Sequence, residues 1–250
     1  MRHDRLHRLL PLAGALFSLI MIAGLFLTRG EPEAGDPAAT IFAYWHDHRG
    51  VQLISSLLLI PYGAVALLVF VGVLRRTLDV REGGSAYASV AFAGGIVAAA
   101  GLLLTGMLDA AIASSAHRDA EAAVYTLAQL QSYDWVPWIA GFAAMLLGSG
   151  AGALRTGALP KAIAWGAIVL GIAFLTPLGF FALFVFPAWA LATSVVLFRA
   201  GPGTDAVAAL GGRRSDTVGD QLGRSDRREY GSVARPPSRP CTSSCSSSRS

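Results

Sequence analysis

Apolar residues in this chain run together rather than alternating with polar ones. Five stretches, 9–28, 51–74, 85–108, 135–154 and 162–198, contain no charged side chain. A helix rises about 1.5 Å per residue, so about 20 such residues cross roughly 30 Å of hydrocarbon. The lengths therefore predict membrane-spanning helices. The last stretch, as one helix, would reach about 55 Å, too long for a single tilted crossing. Pro177-Leu178-Gly179 lies inside it and reads as a tight turn. Splitting there gives spans at 161–176 and 180–198. The expected fold is all-α, a polytopic six-helix transmembrane bundle.

The segments between spans carry patterns of their own. Asp36-Pro37 reads as an N-cap followed by Pro at the first helical position. Ala38, Ile41, Phe42 and Trp45 then share one helical face, and Ala120, Ala123, Val124, Leu127 and Leu130 make a similar stripe later. Both read as short interfacial helices packed on lipid headgroups; the alternative is a lid over an outward-facing cavity. The first span is read as a retained crossing. Its apolar run exceeds the usual 7–15 residues of a signal peptide, and Phe26-Leu27-Thr28-Arg29-Gly30 is a poor cleavage site.

Charge fixes the expected orientation. Arg2, Arg5, Arg8, Arg75, Arg76, Arg81, Arg155, Lys161 and Arg199 flank alternate ends of the spans. Glu31, Glu33, Asp36, Asp47, Asp109, Asp119, Glu121 and Asp134 collect at the opposite ends. Cytoplasmic loops gather Lys and Arg, so both termini are expected inside the cytoplasmic membrane. Composition agrees with a membrane protein: 54% of residues are hydrophobic, 14% are charged, and the mean hydropathy is +0.53. The net charge of +4 is explained by this sorting, so no nucleic-acid partner is expected.

From 200 to 250 the chain turns to Gly, Ser, Arg, Asp and Pro, and hydrophobic periodicity stops. That region is expected to be a disordered cytoplasmic tail whose arginines meet anionic lipid. It holds both cysteines, Cys241 and Cys245, which lack the further ligands zinc requires and read as incidental thiols.

No ionisable group lies inside the expected spans away from their ends, which argues against proton-coupled transport and intramembrane catalysis. Gly148-Ser149-Gly150-Ala151-Gly152 superficially resembles a phosphate loop but lacks the Lys-Ser/Thr that would follow. With Gly94, Gly95, Gly101 and Gly141 it reads as a small-residue face for close helix packing. His46, His48 and His117 are the weak metal or haem candidates, and Asp109 and Asp134 on the same outer side could complete a site; on a helix His46 and His48 project about 200° apart. Pro61 and Pro187 break backbone hydrogen bonds inside their helices. With Tyr62 and Thr105 they mark the expected ligand cavity.

Further phrases appear along the chain: Tyr44, His48-Arg49-Gly50, Leu74-Arg75-Arg76, Ala93-Gly94-Gly95, Arg155-Thr156-Gly157-Ala158-Leu159-Pro160, Trp165-Gly166, Trp189 and Ser194. In these, residues 40–198 resemble multi-pass bacterial membrane proteins of domain-of-unknown-function type, common in high-GC genomes. A single lysine against 19 arginines agrees with such a genome. The resemblance implies the six-helix fold and no particular substrate. The expected role is non-enzymatic, binding or structural, without a cofactor. Its partners would be membrane lipids and a second copy or another membrane protein met through small-residue faces. A small-molecule permease without coupling carboxylates, and a metal- or haem-dependent protein, are the alternatives.

Overall fold

The computed structural model describes residues 9–27, 30–33, 35–79 and 83–200. The expectations for the first eight residues and for the tail, with Cys241 and Cys245, lie outside them.

Among the described residues the chain is entirely helical, without strands. A 3-10 turn (Leu10–Leu12) leads into α1 (Ala13–Leu27), and α2 (Ala38–Asp47) follows the first loop. Then come α3 (Arg49–Ile54), a π-helical turn (Ser55–Leu59) and α4 (Ile60–Asp79), which run on as one rod. The chain continues through α5 (Ser85–Ala116), α6 (Glu121–Gln131), α7 (Trp135–Thr156), α8 (Lys161–Phe174) and α9 (Gly179–Ala200). Among the described residues five helical rods are long and apolar enough to cross a bilayer, so the protein is membrane-embedded. The sixth apolar helix, α8, has 14 residues and spans about 21 Å. The break between α8 and α9 falls at residues 175–178, around Pro177.

Glycine sets the tightest helix contact, between α5 and α7. A Cβ on Gly101 would stand 2.7 Å from the backbone nitrogen of Trp138, and one on Gly148 would stand 2.7 Å from that of Ala91. Cβ atoms on Gly94 and Gly141 would overlap the backbones of Met145 and Ala98. Backbone therefore packs on backbone along four successive turns, the small-residue mode of membrane helices. Gly150, in the phosphate-loop-like run, instead faces α8, where its Cβ would lie 2.7 Å from the Ala164 carbonyl oxygen.

The main core is aromatic. Phe17, Phe70, Phe142, Phe174, Phe186 and Trp189 join α1, α4, α7, α8 and α9, with ring centroids 4.6 Å apart for Phe142 and Phe186. Trp189 Nε1 donates to the Ile163 carbonyl at 3.1 Å, which ties α9 to α8 without leaving the indole nitrogen unpaired. A second, smaller core lies under the loop helices: Ile41 and Trp45 of α2 pack with Ile112, Ala113 and Ala116 of α5 and Val124 and Ala128 of α6.

Three expectations are corrected here. The charge-free run ends at Leu108, but helix α5 continues two turns to Ala116, because Asp109, Ile112, Ala113 and Ala116 form a buried face. An ionisable residue, Asp109, thus sits inside a long apolar helix rather than at its end. Asp36 does not cap α2. Its Oδ2 accepts the Glu33 N–H at 2.9 Å, and α2 starts one residue later, after Pro37. In the α6 stripe, Val124 and Ala128 turn inward, whereas Ala123 and Leu130 face out.

Candidate functional site

Pro61 cannot donate the backbone hydrogen bond that an α-helix needs at its position. The chain widens into the π turn Ser55–Leu59 immediately before it, the usual way a helix absorbs such a defect. The Ser56 hydroxyl donates to the Gln52 carbonyl in the same region. The widened turn directs Ser55, Leu59 and Ile60 towards a cavity of about 690 Å³. That volume falls within the range of small-molecule sites.

Phe17 and Phe142 of the aromatic core form one end of the cavity. Its walls come from α1 (Ile20, Met21, Gly24, Leu25), from Leu102 of α5 and Trp138 of α7, and from Phe180 and Leu183 of α9. From Phe17 to Leu25 the wall runs about 12 Å along α1. Ile41 and Trp45 of α2 and Ala128 of α6 border the other end, so the loop helices cover part of it. This arrangement matches the lid alternative more closely than loops resting on lipid.

Polar groups concentrate at the loop end. Asp109 is 6% exposed. The side-chain amide of Gln131 donates to Asp109 Oδ1 at 2.7 Å and to Glu31 Oε1 at 3.1 Å, so both of its hydrogens are committed. Asp134 stands beside Thr105, and its Oδ2 is buried without a hydrogen-bond partner. Thr105 also bonds the Gly101 carbonyl at 3.3 Å. Burial pushes the Glu31 carboxyl above the usual carboxylate range; the Gln131 hydrogen bond works against this, and the Asp134 carboxylate adds to it. Burial and the nearby Glu31 carboxylate likewise push the Tyr44 phenol up, against a 3.1 Å hydrogen bond from Gln52. The lining contains no Arg, Lys or His among the described residues.

The expected site residues separate. Thr105 lines the cavity. Tyr62 is 64% exposed on the outer face of α4, and half-buried Pro61 acts through the π turn it imposes rather than by contact. Pro187 is buried in α9 beside Phe186, away from the cavity lining. The three histidines are engaged separately. His46 Nδ1 lies 3.4 Å from Asp47 Oδ1. His48 donates from Nδ1 to the Tyr44 carbonyl at 3.0 Å while stacking on the Tyr44 ring. The Arg49 guanidinium donates to His117 Nδ1. Among the described residues no three His, Cys, Asp or Glu side chains are grouped to hold a metal ion.

Sequence reading left out Glu31 and Gln131 as site residues and offered Asp109 and Asp134 only as possible completions of a histidine metal site. A signal for two of them exists. Asp109 follows Thr105 by four residues, on the buried face that continues to Ile112, and Gln131 follows Val124 and Ala128 at helical spacing. No family model matches the chain, and neither does any curated protein or solved structure.

Proposed function

We propose that the protein is a non-enzymatic, membrane-embedded binding protein that takes a small, largely apolar molecule into the cavity between α1, α4, α5, α7 and α9. The observation that carries this reading is the cavity itself: a deep apolar wall, a polar end under two short helices, and an aromatic base. Passage across the membrane needs a continuous polar path. Here Phe17 and Phe142 line the base and pack on Phe186 and Phe174, so that end offers aromatic rings rather than polar groups, which supports binding over permeation.

The test is titration of dodecanol into the protein in phosphatidylcholine nanodiscs, followed by the emission of the cavity-lining Trp45, Trp135 and Trp138. Saturable quenching is expected. A Cβ on Gly24 would meet no heavy atom within 4 Å, so Gly24→Leu adds apolar bulk at the cavity wall. It should weaken binding at least tenfold while the melting temperature holds. Linear, non-saturating quenching in the parent, or unchanged binding in Gly24→Leu, overturns the reading.

Six crossings with both termini in the cytoplasm is the topology proposed alongside. A Cβ on Gly14 would meet both Phe70 and Ser194, so the start of α1 lies level with the ends of α4 and α9. Arg75, Arg76 and Arg199 therefore share one end of the bundle, and the carboxyl-rich loops share the other, which supports that orientation under the positive-inside rule. Helices α2 and α6 would then lie at the outer interface.

A further inference from the structure

We infer that the ligand of this cavity is a singly charged cationic amphiphile, an alkyl amine or ammonium whose head sits between Asp109, Asp134 and Glu31 and whose chain lies against the α1 wall. This deepens the proposed binding function and rests on it. The cavity is the site; the carboxyl groups determine what fits it.

The argument is a balance of donors and acceptors. Three carboxyl groups converge on the loop end, and a carboxylate only accepts. The donors facing them are the amide of Gln131, whose two hydrogens are already shared between Glu31 and Asp109, and the hydroxyl of Thr105, whose single hydrogen is divided between the Gly101 carbonyl and Asp134. Asp134 Oδ2 is left buried and unpaired, and Asp109 is more than nine-tenths buried. Buried acceptors without donors, and carboxylates without a cation, are costly. No basic side chain of the lining offsets them. A ligand that brings N–H donors and a positive charge satisfies both deficits at once.

The remaining wall excludes other heads. An anionic amphiphile would add a like charge to the carboxyl end. A zwitterionic phospholipid would bring its phosphate to a place where no Arg, Lys or His meets it. A small inorganic cation would leave the apolar length from Phe17 to Leu25 unfilled.

Binding of dodecylamine and dodecanol, equal in chain and different in head, is compared in phosphatidylcholine nanodiscs by the tryptophan readout. The amine is expected to bind at least tenfold more tightly. Asp109→Asn and Asp134→Asn, each checked for an unchanged melting profile, should shrink that ratio at least threefold while dodecanol affinity holds. Equal binding of the two ligands overturns the head assignment and leaves the cavity reading standing; binding of neither overturns the cavity reading as well. Amine binding that is undiminished in Gly24→Leu belongs to the bilayer and overturns the inference. Replacing part of the phosphatidylcholine by phosphatidylethanolamine should leave amine affinity unchanged, and strong competition would make the occupant a lipid and overturn the single-charge assignment.

Discussion

Glu31, in the first loop, is a residue whose environment makes a testable demand on pH. Its carboxyl is raised by burial, so losing the proton costs more in the folded protein than in the unfolded chain. Its contribution to stability is present below the unfolded carboxyl value of 4.5 and is lost as pH rises through the higher folded value. Glu31→Gln, which keeps a neutral head of similar shape, should therefore be more stable than the parent at pH 8 and no more stable at pH 4. Paired thermal melts at the two pH values isolate Glu31 from Asp134 and Asp109, which are common to both proteins; a constant difference between them would refute the assignment. Gly141 makes the sharpest steric demand. Any Cβ there meets the Ala98 backbone, which cannot move without separating α5 from α7. Gly141→Val should cost about 1–3 kcal/mol or more in thermal or denaturant unfolding. At Gly24, which lines the cavity and where a Cβ would meet no heavy atom within 4 Å, a larger residue should cost little.

At the scale of elements, the loop helices behave as a cap. Trp45 is 1% exposed and packs in the small core that joins α2, α5 and α6, and it also borders the cavity. Trp45→Ala should remove about 3–5 kcal/mol of local packing. Limited proteolysis should then cleave the segment around α2 faster while the α5–α7 contact keeps its protection. Equal cleavage rates would mean that the cap does not depend on this core. The π turn is the other informative element. Sequence reading located Pro61 and its missing hydrogen bond, and Pro177 as the break between the last two helices. It could not see that the Pro61 defect would be spread over five preceding residues, because widening a turn is one of several ways to absorb it. The run of uncharged residues also misled at Leu108. Charge marks where a side chain meets water, but Asp109 is kept from water by Gln131 and Glu31, two segments distant in sequence. The glycine faces were legible because close approach needs a missing side chain wherever the partner lies. The carboxyl cluster was not, since it is assembled from a loop, α5, α6 and the start of α7.

For the whole molecule, the distribution of charge makes a prediction independent of the cavity. The membrane domain contains no cysteine, so after Cys241→Ser and Cys245→Ser each introduced cysteine reports alone. Glu33→Cys and Asp119→Cys, exposed at the carboxyl-rich end, should react with a membrane-impermeant maleimide on intact cells. Arg76→Cys and Lys161→Cys should react only after permeabilisation. Arg199→Cys, in the last turn of α9, should share that protection; its labelling on intact cells while Lys161→Cys stays protected would remove α8 from the count of crossings.

The aromatic base has a consequence for kinetics. With packed aromatic rings at the inner end, an occupant would exchange at the opposite end, through a doorway formed by α2, α6 and the first loop. Exchange is then gated by how often that doorway opens rather than by how strongly the walls hold. Loosening the cap should accelerate arrival and departure together, and a concentration difference across the bilayer should drive no net flux.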